Sequence, residues 1–507
     1  MSELVYLPVI FLYVCAVGLL FVYGVNSYYL THLAVKLHRK AQARPTPADL
    51  PDMKDWPMVT IQLPLYNERY VAERLIRAAA ALDYPPERLQ IQVLDDSTDD
   101  TWLIVRQLVA RLQASGLNIC LYHRSNREGY KAGALRAGFY SASGEFIAIF
   151  DADFVPGSNF LKQVLPRFVD PQVAFVQARW AHLNVDYSLF TLLQSYTLDA
   201  YFLIEQFARS QAGYWFNFNG TAGVWRRSAI EASGGWQIGT LTEDLDLSYR
   251  AFLRGWKAVY ASDISVPSEL PVSFNAYRRQ QHRWARGGLE CAIRFLPSIW
   301  KTPLSLGKKI QATLHLTGYL VHLLLLALSL LYPLVLLFSP HLHGLANLFG
   351  FIFLFNLTAF APVTYYAVAQ RRLGRLHLKK LPLILFASIL GSGMMLNTLR
   401  AAVQVLQRKQ GVFERTPKYG IVHRRQGWLH ARYNLKLDPL ISLELAYACF
   451  NLWTSWFALT RGNWVIAFYA ALFAAGLFFT SGFTIGQAIR RWQKYPRQNL
   501  APETAGD

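Results

Sequence analysis

No charged residue occurs between Glu3 and Lys36, and none between Lys309 and Arg371. Leu445–Thr460 and Gly462–Ile489 are likewise uncharged, separated by the single Arg461. About 20 consecutive apolar residues cross the hydrocarbon core of a bilayer as a helix, so runs of this length dictate membrane insertion before any other feature is considered. Ser339-Pro340-His341-Leu342-His343-Gly344 divides the second run in two. The sequence therefore predicts five spans, one before residue 37 and four after residue 310. Charged residues make up 16% of the 507 positions, against roughly 25% in soluble domains, and these runs account for the deficit.

The first run is too long for a secretory signal. Its leading segment carries Glu3 and no basic residue, and no small-residue cleavage site follows, so it is expected to stay as an anchor. The net charge of +19 does not indicate a nucleic-acid binder, because the basic residues sit beside the apolar runs. Lys36, Arg39, Lys40 and Arg44 follow the first span, and Arg490, Arg491 and Lys494 follow the last. The positive-inside rule then places residues 37–309 in the cytosol and the N-terminus outside. Leu381–Leu399 is uncharged over a length borderline for spanning. If it crossed, residues 400–438, with nine Lys or Arg against two acids, would lie outside. It also contains Gly391, Gly393 and Asn397, and is read as an amphipathic or re-entrant helix on the cytosolic face. The expected organisation is an anchor at 1–36, a cytosolic catalytic region at 50–290 and interfacial helices at 275–310. Two spans at 310–370, a cytosolic segment at 375–438, two spans at 439–490 and a cytosolic tail at 491–507 follow. The four cysteines are scattered, with neither zinc spacing nor a disulfide framework.

Residues 57–290 read as α/β. Val59–Leu63, Ile91–Leu94 and Phe146–Phe150 are strand-like runs separated by stretches of helical spacing, which predicts a mostly parallel sheet. In such sheets ligands collect at the C-terminal ends of the strands. The turn Pro64–Glu68 and the acidic clusters Asp95-Asp96 and Asp151-Ala152-Asp153 all fall at such ends. Asp151 and Asp153 suit Mg2+ or Mn2+, which takes one or two carboxylates together with substrate phosphates; the same pattern is also an ordinary solvated turn. Lys131 stands in the glycine-flanked turn Asn126–Ala134 before a helix, where a cation and backbone amides suit a diphosphate; it is equally a common surface lysine. Thr242-Glu243-Asp244 precedes a helical stretch, where acids also serve as caps. The functional alternative makes Asp244 a general base, with Glu243 the less favoured neighbour. In Gln280-Gln281-His282-Arg283-Trp284 the helical spacing puts Gln280 and Arg283 on one face. Arg283 can bind pyrophosphate and Trp284 can stack on a sugar; an amphipathic helix on the membrane surface would look the same.

The order Asp95-Asp96, Asp151-x-Asp153, Thr242-Glu243-Asp244 and Gln280-x-x-Arg283-Trp284 resembles the processive family-2 glycosyltransferases, which include cellulose, hyaluronan and chitin synthases. Phe216–Arg226 and the run from Ser268-Glu269-Leu270-Pro271 to Trp284 resemble the cellulose-synthase-like mannan and glucan synthases, the glucomannan 4-β-mannosyltransferase group. The resemblance implies a GT-A fold between transmembrane helices and an inverting single displacement. By matching motif, Asp95, Asp96, Lys131, Asp151, Gln280 and Arg283 would bind the nucleotide sugar, and Asp151 and Asp153 the metal. Asp244 would act as base, and Trp284, Asn219, Gly220 and Thr221 would lie at the acceptor. The family's gating loop has the form Phe-x-Val-Thr-x-Lys. Here Phe413-Glu414-Arg415-Thr416-Pro417-Lys418 keeps Phe, Thr and Lys but replaces Val by Arg and inserts Pro, which adds Lys418 to the nucleotide-binding set. Two further departures are one span instead of two or more before the catalytic region, and a short tail after Lys494 with no cyclic-dinucleotide-binding domain.

The implied reaction transfers a hexose from UDP-glucose or GDP-mannose to a β-linked polysaccharide, of β-1,4 type by resemblance, with export through the membrane. The alternative is a lipid glycosyltransferase acting on ceramide, diacylglycerol or a polyprenyl phosphate. A transporter fits poorly, because intramembrane ionisable residues are few, chiefly Glu444, His315 and His322, which are expected to be interfacial or channel-lining. The setting is a multi-pass protein in contact with membrane lipids, in a plasma, inner or Golgi membrane according to source. The basic-residue distribution generates a direct test. Single cysteines placed between Pro340 and Gly344 should react with an impermeant maleimide in intact cells, and a cysteine at 418 should not. Labelling at 418 would refute the five-span topology.

Overall fold

In the computed structural model, which describes residues 7–42, 55–338, 357–409, 411–433 and 437–494, the expected α/β region is a seven-stranded sheet. Its strands are β1 (Val59–Leu65), β2 (Leu89–Asp95), β3 (Ile119–His123), β4 (Phe146–Ile149), β5 (Val173–His182), β6 (Gly223–Arg226) and β7 (Lys257–Ser268). They lie in the order β3-β2-β1-β4-β6-β5-β7. β1 to β4 pair in parallel, β7 is parallel to β5, and β6 runs antiparallel to both β4 and β5. Leu65 is opposite Asp95, and Gln62 is opposite Ile149. That register makes the chain leave the sheet at one edge after β1, β2 and β4, and so gathers Asp96 and Asp151 there.

The helices in chain order are α1 (Leu7–Gln42), α2 (Ala72–Ala80), α3 (Thr101–Ala114), α4 (Tyr130–Tyr140), α5 (Phe160–Val164), α6 (Leu189–Ala200), α7 (Phe207–Gln211), α8 (Arg227–Ala232), α9 (Glu243–Leu253), α10 (Phe274–Lys301), α11 (Leu306–Leu316) and α12 (Leu320–Phe338). Later helices are named by their residues. The period-two alternation of β1 turns Val59, Ile61 and Leu63 into a core shared with Leu75 and Ile76 of α2 and Val105 and Leu108 of α3. The other face is polar yet buried. Thr60 Oγ1 donates to Gln90 Oε1 at 2.7 Å, and Gln62 Nε2 donates to Gln92 Oε1 at 2.9 Å. Helix α4 lies directly on this pair because position 138 is glycine. A Cβ there would come within 2.7 Å of Leu94 Cδ2 and 2.8 Å of Gln62 Nε2.

Four helical runs among the described residues are long and apolar enough to cross a membrane: Leu7–Arg39, Leu320–Phe338, Leu378–Leu406 and Trp464–Lys494. Three match expected spans. The fourth contains the stretch assigned to the interface, and it is broken, since a 3-10 turn at Ser392–Met394 separates Leu381–Leu390 from Met395–Leu406. Leu440–Thr460, expected to span, is helical over 21 residues but is not among the four. Its Glu444, Asn451, Thr454 and Ser455 are buried against neighbouring helices. The loop at 340–344, the first part of the span expected after it (through residue 356) and the tail beyond Lys494 lie outside the described residues; the rest of that span contains the helix Ala361–Arg372.

Helix α10 joins the sheet domain to the apolar helices. Its Arg278 donates to Glu444 Oε2 at 2.7 Å, with both side chains almost wholly buried. Ser481 donates to the same carboxylate oxygen at 3.0 Å, and Asn397 Nδ2 donates to the Arg278 carbonyl at 3.0 Å. Glu444, for which the sequence left an interfacial or a channel-lining place, is thus a packing partner of Arg278. Losing one member of a buried pair strands a charge, typically at a cost of about 3–5 kcal/mol, whereas replacing both by apolar groups is far milder. Glu444→Leu should therefore lower the unfolding midpoint in detergent strongly, and Arg278→Met combined with Glu444→Leu should recover much of the loss. Additive losses in the double variant would show that the pair is not coupled.

Candidate active site

The first cluster forms where β4, α4 and α9 converge. Asp151 follows β4 directly, and its N–H donates to Thr221 Oγ1 at 2.8 Å. Lys131, in the first turn of α4, donates from Nζ to Asp151 Oδ1 at 2.5 Å and to the Gly220 carbonyl at 2.9 Å. The same Nζ lies 3.6 Å from Glu243 Oε1 at the start of α9. Gly220 makes the convergence possible. Its φ is +78°, and a Cβ there would stand 3.1 Å from Asp244 Oδ2 and 3.3 Å from Lys131 Nζ. Burial, reinforced by Glu243 and opposed by Lys131, pushes the Asp244 carboxyl up to about 7. Burial also raises Asp151, against the pull of Lys131. Lys131 itself is held above its ordinary value although burial lowers it, because Asp151 and Glu243 surround it.

The second cluster involves residues more than 110 positions apart. Asp153 Oδ2 accepts from Lys418 Nζ at 2.8 Å and from the Glu269 N–H at 3.1 Å. Lys418 also donates to the Glu269 carbonyl, and the Tyr419 N–H donates to Glu269 Oε1 at 2.9 Å. Glu68 is close by, its carboxyl pushed up to about 8 by burial against the opposing charge of Arg415. The segment that delivers Lys418 lies across the cavity. Phe413 stacks on Tyr130 with centroids 5.9 Å apart, and the Arg283 guanidinium sits 4.4 Å over the Phe413 ring. Arg415 donates to the Tyr66 carbonyl at 3.2 Å.

Asp96, Lys131, Asp151, Asp153, Asn219, Gly220, Glu243, Asp244, Gln280, Arg283, Trp284 and Lys418 line one cavity. Asp95 and Thr221 do not. Asp95 is fully buried, accepting from the Ser97 N–H at 3.2 Å and meeting His123 Nδ1 at 2.8 Å. Thr221 is fully buried beneath Asp151. Asp96 is gripped by Arg124, whose Nε and Nη2 donate to its two oxygens at 2.7 and 2.5 Å. Asn219 is fixed by the Gln206 amide at 2.7 Å and by the Tyr201 hydroxyl at 3.1 Å. Five further lining residues had no assigned role: Tyr66, Glu68, Arg127, Glu269 and Arg415. Arg127 lies 3.4 Å over the Tyr66 ring. Tyr66, Glu68 and Arg127 stand in turns already marked as strand-end loops, so position alone was the available signal. Glu269 and Arg415 enter through long-range contacts that no local pattern encodes.

Among the described residues no group of three or more His, Cys, Asp or Glu side chains is arranged to hold a metal ion. Asp151 and Asp153 nevertheless face one cavity with hard carboxylate oxygens. Two such donors fit Mg2+ or Mn2+, whose remaining positions go to phosphate and water. A second cavity of about 450 Å³ continues from the first. Asn219, Asp244, Gln280 and Trp284 line both, and beyond them the second cavity reaches His315, Tyr319 and His322 at the apolar helices.

Because Gly220 holds a left-handed backbone against Asp244 and Lys131, Gly220→Ala should destabilise the fold by about 1–2 kcal/mol from φ alone. It should also weaken nucleotide-sugar binding as Lys131 is displaced. Thermal unfolding with and without donor reads both, and a variant of native stability and native donor binding would contradict the packing described.

A family model described as glycosyltransferase-like family 2 matches residues 57–287. Glucomannan 4-β-mannosyltransferase 1 of Oryza sativa subsp. japonica is 43% identical over 284 residues, 54% of this chain and 54% of that one. Glucomannan 4-β-mannosyltransferase 9 of Arabidopsis thaliana is 48% identical over 237 residues, 46% of this chain and 44% of that one. This chain thus spans about half the length of the curated relatives it matches. A solved mannosyltransferase of Pyrobaculum calidifontis, in complex with GDP-mannose and Mn2+, is 20% identical with a TM-score of 0.48, covering 77% of this chain and 99% of its own. The strand-end cluster described above falls within the matched region, apart from Lys418 and its neighbours. Residues 57–287 are a family-2 glycosyltransferase domain of GT-A fold, similar to the cellulose-synthase-like glucomannan 4-β-mannosyltransferases.

Proposed function

We propose that the chain transfers a hexose from GDP-mannose or UDP-glucose to the growing end of a β-1,4-linked polysaccharide and passes the product toward the membrane. One observation carries the reading: the cavity holding Asp151 and Asp244 opens into a second one running to the apolar helices, with Trp284 at the junction. A transferase that released one glycolipid sideways would need no such continuation.

In this reading Lys131 and Arg283 hold the donor diphosphate, and Asp151 and Asp153 are the residues that would hold a divalent ion. When bound, the ion offsets the negative charge growing on the departing diphosphate. Asp244 accepts the proton of the acceptor hydroxyl while that oxygen attacks the anomeric carbon and the bond to the diphosphate breaks, which inverts the configuration. Trp284 presents an aromatic face on which a sugar ring can slide between turnovers. The Phe413–Lys418 segment covers the donor and must move for nucleotide exchange, the kind of motion that often limits turnover.

The same geometry supports a topology. The run of residues 378–406 meets the catalytic domain at both ends: Gln370 donates to Asp199 before it, and His282 pairs with Gln404 within its last turn. Residues 413–418 then contact β1 and β4 loops. A run that starts and finishes on the cytosolic domain is re-entrant, which keeps Lys418 on the catalytic side.

If Asp244 is the base, kcat/KM should rise with pH through about 7 and flatten above it, because only the ionised carboxylate accepts the proton. Asp244→Asn should keep donor binding and lose about two to four orders of magnitude in rate. An inactive Glu243→Gln beside an active Asp244→Asn would move the base to Glu243. Asp151→Asn and Asp153→Asn should each abolish transfer, and full activity in EDTA would refute the metal.

The product decides the substrate. Purified protein given labelled GDP-mannose and UDP-glucose with Mn2+ should make a high-molecular-weight product cut by an endo-β-1,4-mannanase or glucanase. Label that partitions wholly into chloroform and resists both enzymes would overturn the polymer reading in favour of a lipid acceptor.

A further inference from the structure

A third cavity, of about 630 Å³, lies away from the catalytic cluster. It opens between α6, the loop around Arg375 and Lys380, and Val422–Arg424 of the segment that carries Lys418. Its rim is cationic. Arg375 and Lys380 form no side-chain hydrogen bond or ion pair among the described residues, and neither does His423. Arg424 donates to the Asp186 carbonyl, and the Asp186 carboxylate is the one acidic side chain in the lining. Three permanent cations against one acid leave this lining positive, opposed from behind only in part by the buried Asp199, which feels the charge of Arg375.

The inner wall is polar and unsatisfied. The Tyr196 hydroxyl is buried without a hydrogen-bond partner, and its side chain is 1% exposed. His182, its side chain 2% exposed, meets Asp199 Oδ1 through Nε2 at 3.2 Å, and its Nδ1 has no partner. Gln370 donates to the other Asp199 oxygen at 3.1 Å. Buried polar groups without partners are rare and costly. Here an unpartnered hydroxyl borders the cationic cavity, and an anion would accept its hydrogen bond. The Tyr196 O–H would donate to it.

We infer that this cavity is a binding site for a phosphate-bearing anion, delivered by a phospholipid headgroup or free in solution. Lys380 directly precedes the apolar helix Leu381–Leu390; Leu381 and Leu385 are exposed on that helix, and Leu378 is exposed in the turn before it. That puts the cavity mouth at the level where headgroups meet basic side chains. The same cavity touches Val422–Arg424, so a bound anion would tie the segment carrying Lys418 to the membrane-facing end of the domain.

The test uses the full chain in neutral detergent with a fluorescent short-chain phosphatidylglycerol, phosphatidylcholine as the uncharged comparison, and inorganic phosphate as competitor. Saturable binding of phosphatidylglycerol over phosphatidylcholine is expected, weakened roughly tenfold or more in Arg375→Gln combined with Lys380→Gln. Tyr196→Phe is the sharper variant. It removes only a hydroxyl that has no partner in the protein, so folding is preserved, while directed binding should fall severalfold and loose electrostatic adsorption would not change. Displacement of the lipid by inorganic phosphate would identify the shared phosphate chemistry, and uptake of phosphate alone would make the free anion the ligand. Unaltered affinity in Tyr196→Phe, or no saturable binding of either probe, would overturn the site.

Discussion

Seven carboxylates, Glu68, Asp96, Asp151, Asp153, Glu243, Asp244 and Glu269, line one cavity, and their mutual repulsion is the constraint around which the rest is arranged. Two lysines make it tolerable. Lys131 binds Asp151 and faces Glu243, and Lys418 binds Asp153 and the Glu269 backbone. One lysine comes from within the sheet domain; the other comes from beyond the apolar helices. The site is complete only when both parts of the chain are folded against each other. Burial keeps the carboxyls of Asp244 and Glu68 raised in spite of these cations.

Helix α10 transmits that arrangement to the membrane-facing half. It presents Gln280, Arg283 and Trp284 to the cavity and on another face buries Arg278 against Glu444. One helix therefore sets the distance between the cavity carboxylates and the apolar helices. The second cavity runs along this helix, and its far wall includes His315 and His322. Both histidines line this cavity, while Glu444 is committed to packing against Arg278.

Much of the catalytic edge was legible because strand ends are legible. A period-two apolar run followed by acids or a Pro-Asn turn predicts a loop at the sheet's C-terminal edge, and Asp96, Asp151 and Asp153 all arrived there. Lys131 was less legible, since its turn suits an ordinary surface lysine as well, and only the fold sets it in the first turn of α4 against Asp151 and Glu243. Thr221 was not, because its place under Asp151 depends on β6 pairing antiparallel beside β4. Asp95 looked equivalent to Asp96, yet one faces His123 inside the domain and the other faces the cavity. Adjacent residues on an extended chain point to opposite sides, and only the packed sheet says which side is open.

The sequence by itself determined the membrane setting, the α/β class and the identity of the acids at the strand ends, since these follow from hydropathy and from patterns within a few residues. Tertiary structure decided which lysine neutralises which aspartate. It also decided that Glu444 belongs to Arg278, and that residues 378–406 are broken at Ser392–Met394 and return to the domain they left. Pairings across more than a hundred residues leave no trace in local spacing, because they are selected by the burial free energy of the whole assembly and by the need to give every buried charge a partner.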